Sequence, residues 1–120
     1  ILHLRINELE TAMIVFRSSG EAARVLAYDD LLEREKDHWL VNEVRQNWKR
    51  VLKRVDVTSR TIVAMVEPGS CFAGTLAELV LAADRSYMLI GTREGDNREP
   101  AGIVLHALNF GPYPMSNGLT

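Results

Sequence analysis

The residues best placed to do chemistry lie in one stretch, Glu67–Asp84, reading Glu-Pro-Gly-Ser-Cys-Phe-Ala-Gly-Thr-Leu-Ala-Glu-Leu-Val-Leu-Ala-Ala-Asp. Gly69, Ser70, Cys71, Ala73, Gly74 and Thr75 make a turn of small residues, which lets a ligand approach the backbone closely. The continuous apolar run Thr61–Val66 before the turn predicts a strand buried on both faces. The residues after it predict a helix over about Thr75–Ala83. A helix start carries unpaired N–H groups and the positive end of the dipole. That geometry suits an anionic oxygen, whether of a phosphate or a thioester oxyanion. Glu78 would sit one turn inside the helix and Asp84 near its end.

Each candidate also has a plainer reading. A Glu78 carboxylate beside an oxyanion could hold or transfer a proton, with its pKa raised by burial. A glutamate early in a helix is equally favoured by the dipole alone. Cys71 is the only thiol. A nearby helix N-terminus could make it a nucleophile, yet no basic residue pairs with it in sequence, and a small buried residue accounts for it as well. Trp39 and Trp48 could stack on an aromatic ligand, but their spacing with Leu40, Val44 and Leu52 is that of a helix core face. Lys49, Arg50, Lys53 and Arg54 could meet ligand phosphates, and they also read as a solvated helix face near a C-terminus. His3, His38 and His106 are scattered without metal-ligand spacing, so no metal is expected and His38 and His106 are read as structural.

The elements that must position these residues follow from periodicity. Leu2, Leu4 and Ile6 alternate with His3, Arg5 and Asn7, which predicts a half-buried strand, with a turn at Asn7–Glu10. Thr11–Arg17 predicts a second strand that Ser18-Ser19-Gly20 ends. Glu21 to about Asp56 has helical spacing, in one or two helices, with a charged joint at Leu31–Asp37. Arg85–Ile90 predicts a short strand, Gly91–Pro100 a loop, Ala101–Leu105 another strand, and Asn109–Gly118 a Gly/Pro-rich loop. Strands separated by helices predict an α/β fold with parallel pairing.

Bulk properties narrow the classes. With 120 residues the chain is one domain or less, and 47% hydrophobic content permits a core. A net charge of −2 and a pI near 5.9 argue against a generic nucleic-acid or membrane-surface binder. No apolar run approaches the roughly 20 residues that span a bilayer. A single cysteine forms no internal disulfide, so a cytoplasmic protein is expected. The chain starts at Ile1 without Met and stops after a loop, which reads as a piece of a longer protein.

The strand, small-residue turn and helix, with Glu78-Leu79 and then Ala83-Asp84, resemble the enoyl-CoA hydratase (crotonase) superfamily. Gly111-Pro112-Tyr113-Pro114 resembles that superfamily's later Gly-x-x-Pro loop. Further segments are similar to one branch, the ring-opening lyases of aerobic benzoate degradation. These are Asp37–Val41, Asp56–Arg60, Glu67–Thr75, Ala82–Tyr87 and Asn109–Met115.

The resemblance implies a crotonase-like (ClpP/crotonase) ββα spiral, present here as a partial domain covering residues 1–120. It implies part of the second of two crotonase-like halves. The implied substrate is 2,3-epoxybenzoyl-CoA, opened to a semialdehyde CoA thioester with release of formate. Coenzyme A would enter only as part of the substrate, with no other cofactor. The implied partners are the acyl-CoA, the remaining half of the polypeptide and further copies of the enzyme, with no nucleic acid and no membrane.

Residue by residue, Glu78 matches the first acid/base glutamate of the superfamily. Gly74 and Thr75 match the turn whose backbone N–H polarises the thioester carbonyl, with the donor falling on Thr75 and Cys71 lining the same turn. The second glutamate should fall at Ala107, which cannot exchange a proton, and Glu99 lies on a loop away from that position. The carboxylate pair is thus incomplete. A non-catalytic scaffold or oligomerisation half, or a more general enoyl-CoA hydratase/isomerase relative, stands beside the lyase.

Overall fold

The computed structural model describes residues 1–113. Three parallel strands form one sheet in the order β1 (Met13–Phe16), β2 (Thr61–Val66), β3 (Arg85–Met88). Met13 pairs with Thr61 and Phe16 with Ala64; Val63 pairs with Arg85 and Val66 with Met88. Parallel neighbours need crossovers, and helices supply them. Besides α1 (Leu2–Asn7), the chain has α2 (Ala22–Arg34) and α3 (Trp39–Asp56) between β1 and β2, and α4 (Gly74–Ala82) between β2 and β3. The expected α/β class with parallel pairing is observed.

The helical stretch splits where the charged joint was expected. Glu35 N–H closes on Leu31 O at 3.0 Å, and His38 then caps α3 by accepting Leu40 N–H at 3.2 Å. Val44, Trp48, Leu52 and Val55 recur at helical spacing. Leu52 packs with Leu32, Leu108 and Tyr113 in one cluster, with Val41, Val44 and Trp48 against it. A second cluster joins Ala64 and Val66 of β2 to Phe72 and to Val80 of α4, with Phe16 and Leu76 alongside. Partners in register share a face of the sheet, so Phe16, Ala64 and Val66 turn one face toward α4. The other face leaves Met13, Val15 and Tyr87 exposed.

Two expected strands are corrected. Leu2–Asn7 is a helix: Arg5 N–H bonds Ile1 O at 3.0 Å and Glu8 N–H bonds Leu4 O at 3.2 Å. Leu2 and Ile6 are one helical turn apart and share a face that stays exposed, while Leu4 turns to the other side and is partly buried. The Arg60 guanidinium lies 3.4 Å from Glu8 O, where a cation suits a helix C-terminus. Ala101–Leu105 is not a strand but a single parallel bridge between Val104 and Ala73. Its partner segment turns into α4 at Gly74, so the ladder has nothing to continue along. The β3 strand is also shorter than Arg85–Ile90, although Leu89 N–H still bonds Val66 O at 3.1 Å. Among the described residues, no helix is long and apolar enough to cross a membrane.

Candidate functional site

β2 delivers the chain to the small-residue turn, and the turn is fastened to its surroundings. Gly20 N–H donates to Gly69 O at 3.1 Å, and Cys71 N–H donates to Ser18 Oγ at 3.1 Å. Val104 N–H donates to Phe72 O at 3.1 Å, and Gly74 N–H donates to Val104 O at 2.9 Å. Gly74 has φ +47°, a left-handed conformation that a side chain would strain. Cys71 is buried, with its sulfur near Gly20.

An anionic group does sit at the N-terminus of α4, and it belongs to the chain. Asp29 of α2 is fully buried. Its Oδ2 accepts Thr75 N–H at 2.7 Å, and its Oδ1 accepts the Thr75 hydroxyl at 2.5 Å. Thr75 Oγ1 also lies 2.8 Å from the Tyr113 hydroxyl. A hydroxyl has one proton. If Thr75 gives its proton to Asp29, Tyr113 donates to Thr75, and the three form one chain. Burial pushes the Tyr113 hydroxyl up to about 12, so it keeps its proton. Burial also raises the Asp29 carboxyl above its usual range, against the lowering effect of its bonds to Thr75.

Glu78 lies one turn further along α4 and is fully buried. Its Oε1 accepts from Asn109 Nδ2 at 2.7 Å, and the same amide donates to Gly74 O at 3.0 Å. Asn109 ends the 3₁₀ turn Ala107–Asn109. His106 caps that turn by accepting Leu108 N–H at 3.2 Å, and Asn109 Oδ1 accepts His106 N–H at 2.9 Å. His106 Nε2 meets Asp30 Oδ1 at 2.7 Å, which ties the turn to α2. Ala107 is exposed on this turn.

The start of α2 is different. Glu21, Ala22 and Ala23 line a cleft of about 540 Å³ with Gly69, Ser70 and Arg98. Glu21, at the N-cap, makes no side-chain cap bond. Arg98 is held bidentately by Asp96 at 2.9 and 2.8 Å, which drives the Asp96 carboxyl down to about 2.

The structure brings Gly74, Thr75 and Glu78 together on α4, with Cys71 in the turn that leads to it. Thr75 N–H is given to Asp29. Asp84 stands apart and accepts Ile62 N–H at 2.7 Å. Trp48 is half-buried against the core, whereas Trp39 is 72% exposed and stacks on His38. Lys53 is exposed and pairs with Asp56 at 2.9 Å. His38 and His106 each cap a helical turn. The Gly111–Pro114 loop is described through Tyr113; Pro114 to Gly118 lie outside the described residues. Sequence reasoning missed Asp29, Asn109 and Tyr113. One signal was available: Asp29 shares a helix face with Val25 and Leu32, a polar residue on an apolar stripe.

No family model matches the chain. It is 47% identical, over 100% of its own length, to a benzoyl-CoA-dihydrodiol lyase of Aromatoleum evansii. The chain spans 21% of that protein's length. Along its whole length, the chain is similar to about a fifth of a benzoyl-CoA-dihydrodiol lyase.

Proposed function

We propose that the chain is a segment of a lyase of aromatic-compound degradation, with a crotonase-like fold. The proposed reaction opens 2,3-epoxybenzoyl-CoA to a semialdehyde CoA thioester and formate, with coenzyme A present only as part of the substrate. Identity of 47% over the whole chain to a lyase named for benzoyl-CoA dihydrodiol carries this reading. Such an enzyme would work in the cytoplasm and draw on the remaining half of its polypeptide and on further copies.

Within that enzyme we assign this segment to the framework. Thr75 N–H, the donor an oxyanion would need, is already bonded to Asp29. Ala107 supplies no second carboxylate. Glu78 bonds Asn109 and so ties α4 to the turn that follows Leu105. A specific observation favours a second reading, in which Glu78 is an acid/base and Gly74, Thr75 and Cys71 meet the thioester. Glu78 is a fully buried carboxylate one turn into the helix that follows the small-residue turn, where an acid/base would sit.

Glu78→Gln in the full-length protein separates the two. As framework, Glu78 predicts a kcat within about tenfold of wild type once the variant is confirmed folded. A loss of tenfold or more, at an unchanged melting temperature, would support acid/base catalysis instead. Absence of lyase activity on aromatic acyl-CoA thioesters in the wild-type protein would remove both.

A further inference from the structure

Asp29 is on α2, yet both its oxygens serve α4: Oδ2 takes Thr75 N–H at 2.7 Å and Oδ1 meets Thr75 Oγ1 at 2.5 Å. A Cβ at residue 74 would collide with Oδ2. The carboxylate therefore fills the space that Gly74 leaves open. Tyr113 closes the far side of Thr75 at 2.8 Å.

We propose that Asp29 is an internal plug: a positioning residue whose carboxylate takes the place of a substrate oxygen at the α4 N-terminus and keeps Thr75 N–H from polarising a carbonyl. That a substrate carbonyl would otherwise come here rests on the acyl-CoA reading above; that Asp29 occupies the position rests on its two bonds to Thr75. Thr75 has one amide hydrogen, and at 2.7 Å it is committed. A second anionic oxygen brought to the same N–H would face a carboxylate at contact distance and be repelled. The plug is charge-specific. Two donors, an amide N–H and a hydroxyl freed to donate by Tyr113, face two acceptor oxygens. An asparagine amide would turn an NH₂ toward one of those donors.

Truncating Asp29 to alanine removes a group the size and charge of formate. A groove of about 290 Å³, lined by Arg24, Val25, Tyr28, Trp48, Thr75 and Leu76, opens at Thr75 and offers a small anion a route.

The test is chemical rescue in the full-length protein. Asp29→Ala is melted with added formate, with formamide as the neutral isostere and with chloride at matched ionic strength. We expect formate to raise the melting temperature of the variant saturably, by about 2 °C or more, because it binds the folded state alone. Formamide and chloride should not, and wild type should not respond. Mere packing at position 29 would not discriminate formate from formamide. A folded variant indifferent to formate, or equally stabilised by formamide, overturns the proposal. If Asp29→Ala does not fold, Asp29→Asn decides by NMR. Loss of the charge-assisted bond should move the Thr75 amide proton upfield, and an unmoved resonance overturns the plug. Neither readout involves turnover, so failure here is distinct from failure of the lyase reading.

Discussion

Two helices of this chain begin alike and end up in opposite situations. α2 follows β1 through Ser18-Ser19-Gly20, and α4 follows β2 through the Glu67–Ala73 turn. Both start at the carboxyl end of a parallel strand, where open α/β sheets hold their ligands. The start of α4 is buried and filled by a carboxylate brought from α2. The start of α2 has no side-chain cap and lines a cleft of about 540 Å³. A small-residue turn before a helix therefore signals a place for an anion. It does not say whose anion arrives.

The sharpest way to break the contrast is to add one carbon at each turn. Gly74→Ala must displace Asp29 and strain a left-handed residue, and we expect a loss of about 3 kcal/mol or more in chemical denaturation. Gly20→Ala also strains its backbone, but its Cβ meets Cys71 Sγ at an ordinary 3.5 Å. About 1 kcal/mol is expected there. Combining Gly74→Ala with Asp29→Ala should cost clearly less than the sum of the two, since both act on one space. Additive losses would separate Gly74 from the plug.

Asn109→Ala comes next. It strips partners from Gly74 O and from the buried Glu78 Oε1. A loss of about 2 kcal/mol in denaturant melts is expected, whereas breaking the exposed Lys53–Asp56 pair should cost at most about 0.5 kcal/mol.

A smaller effect tests the open end. Glu21→Ser at the α2 N-cap should add about 0.5–1 kcal/mol by supplying the missing cap bond. Ala73→Ser, at the already served and fully buried N-cap of α4, should add nothing.

The finest test is a pH slope. Burial raises the folded-state pKa of Asp29 above its ordinary value of 3.8, against the lowering effect of its bonds to Thr75 and of His106, while Asp30 raises it. A raised folded pKa means the native state holds its proton more tightly than the unfolded chain. Asp29 then favours folding most below 3.8 and progressively less as pH rises through its folded pKa. Melting temperatures of wild type minus Asp29→Asn, measured across that window, should fall with rising pH and level off above it. A difference that rises with pH would reverse the sign of the burial effect.

Much of the fold was legible. Thr61–Val66 is too apolar and too short for anything but a buried strand, and Val44, Trp48, Leu52 and Val55 repeat at the helical period over enough turns to be unambiguous. Leu2–Asn7 was not legible, because Leu2, Leu4 and Ile6 alternate at the strand period, yet the segment is a short helix whose last carbonyls meet Arg60. Val104 could not extend into a strand because its partner leaves for α4. At the site, the small-residue turn was readable from residue type, whereas the burial of Glu78 was not, because a glutamate is buried only where a partner such as Asn109 meets it. Asp29 was not: a lone aspartate inside a helix says nothing of its partner, though its place on the stripe of Val25 and Leu32 marked it as buried.

By itself, the sequence determined that β2 ends in a turn of small residues, that a helix starts there, and that the helix start would attract an anionic oxygen. Those properties depend on neighbours a few residues apart. Only the tertiary structure decided that the anion is Asp29, which lies 46 residues from Thr75 in the chain. Packing α2 against α4 puts a carboxylate where water or a ligand would otherwise sit, and no local pattern encodes that meeting.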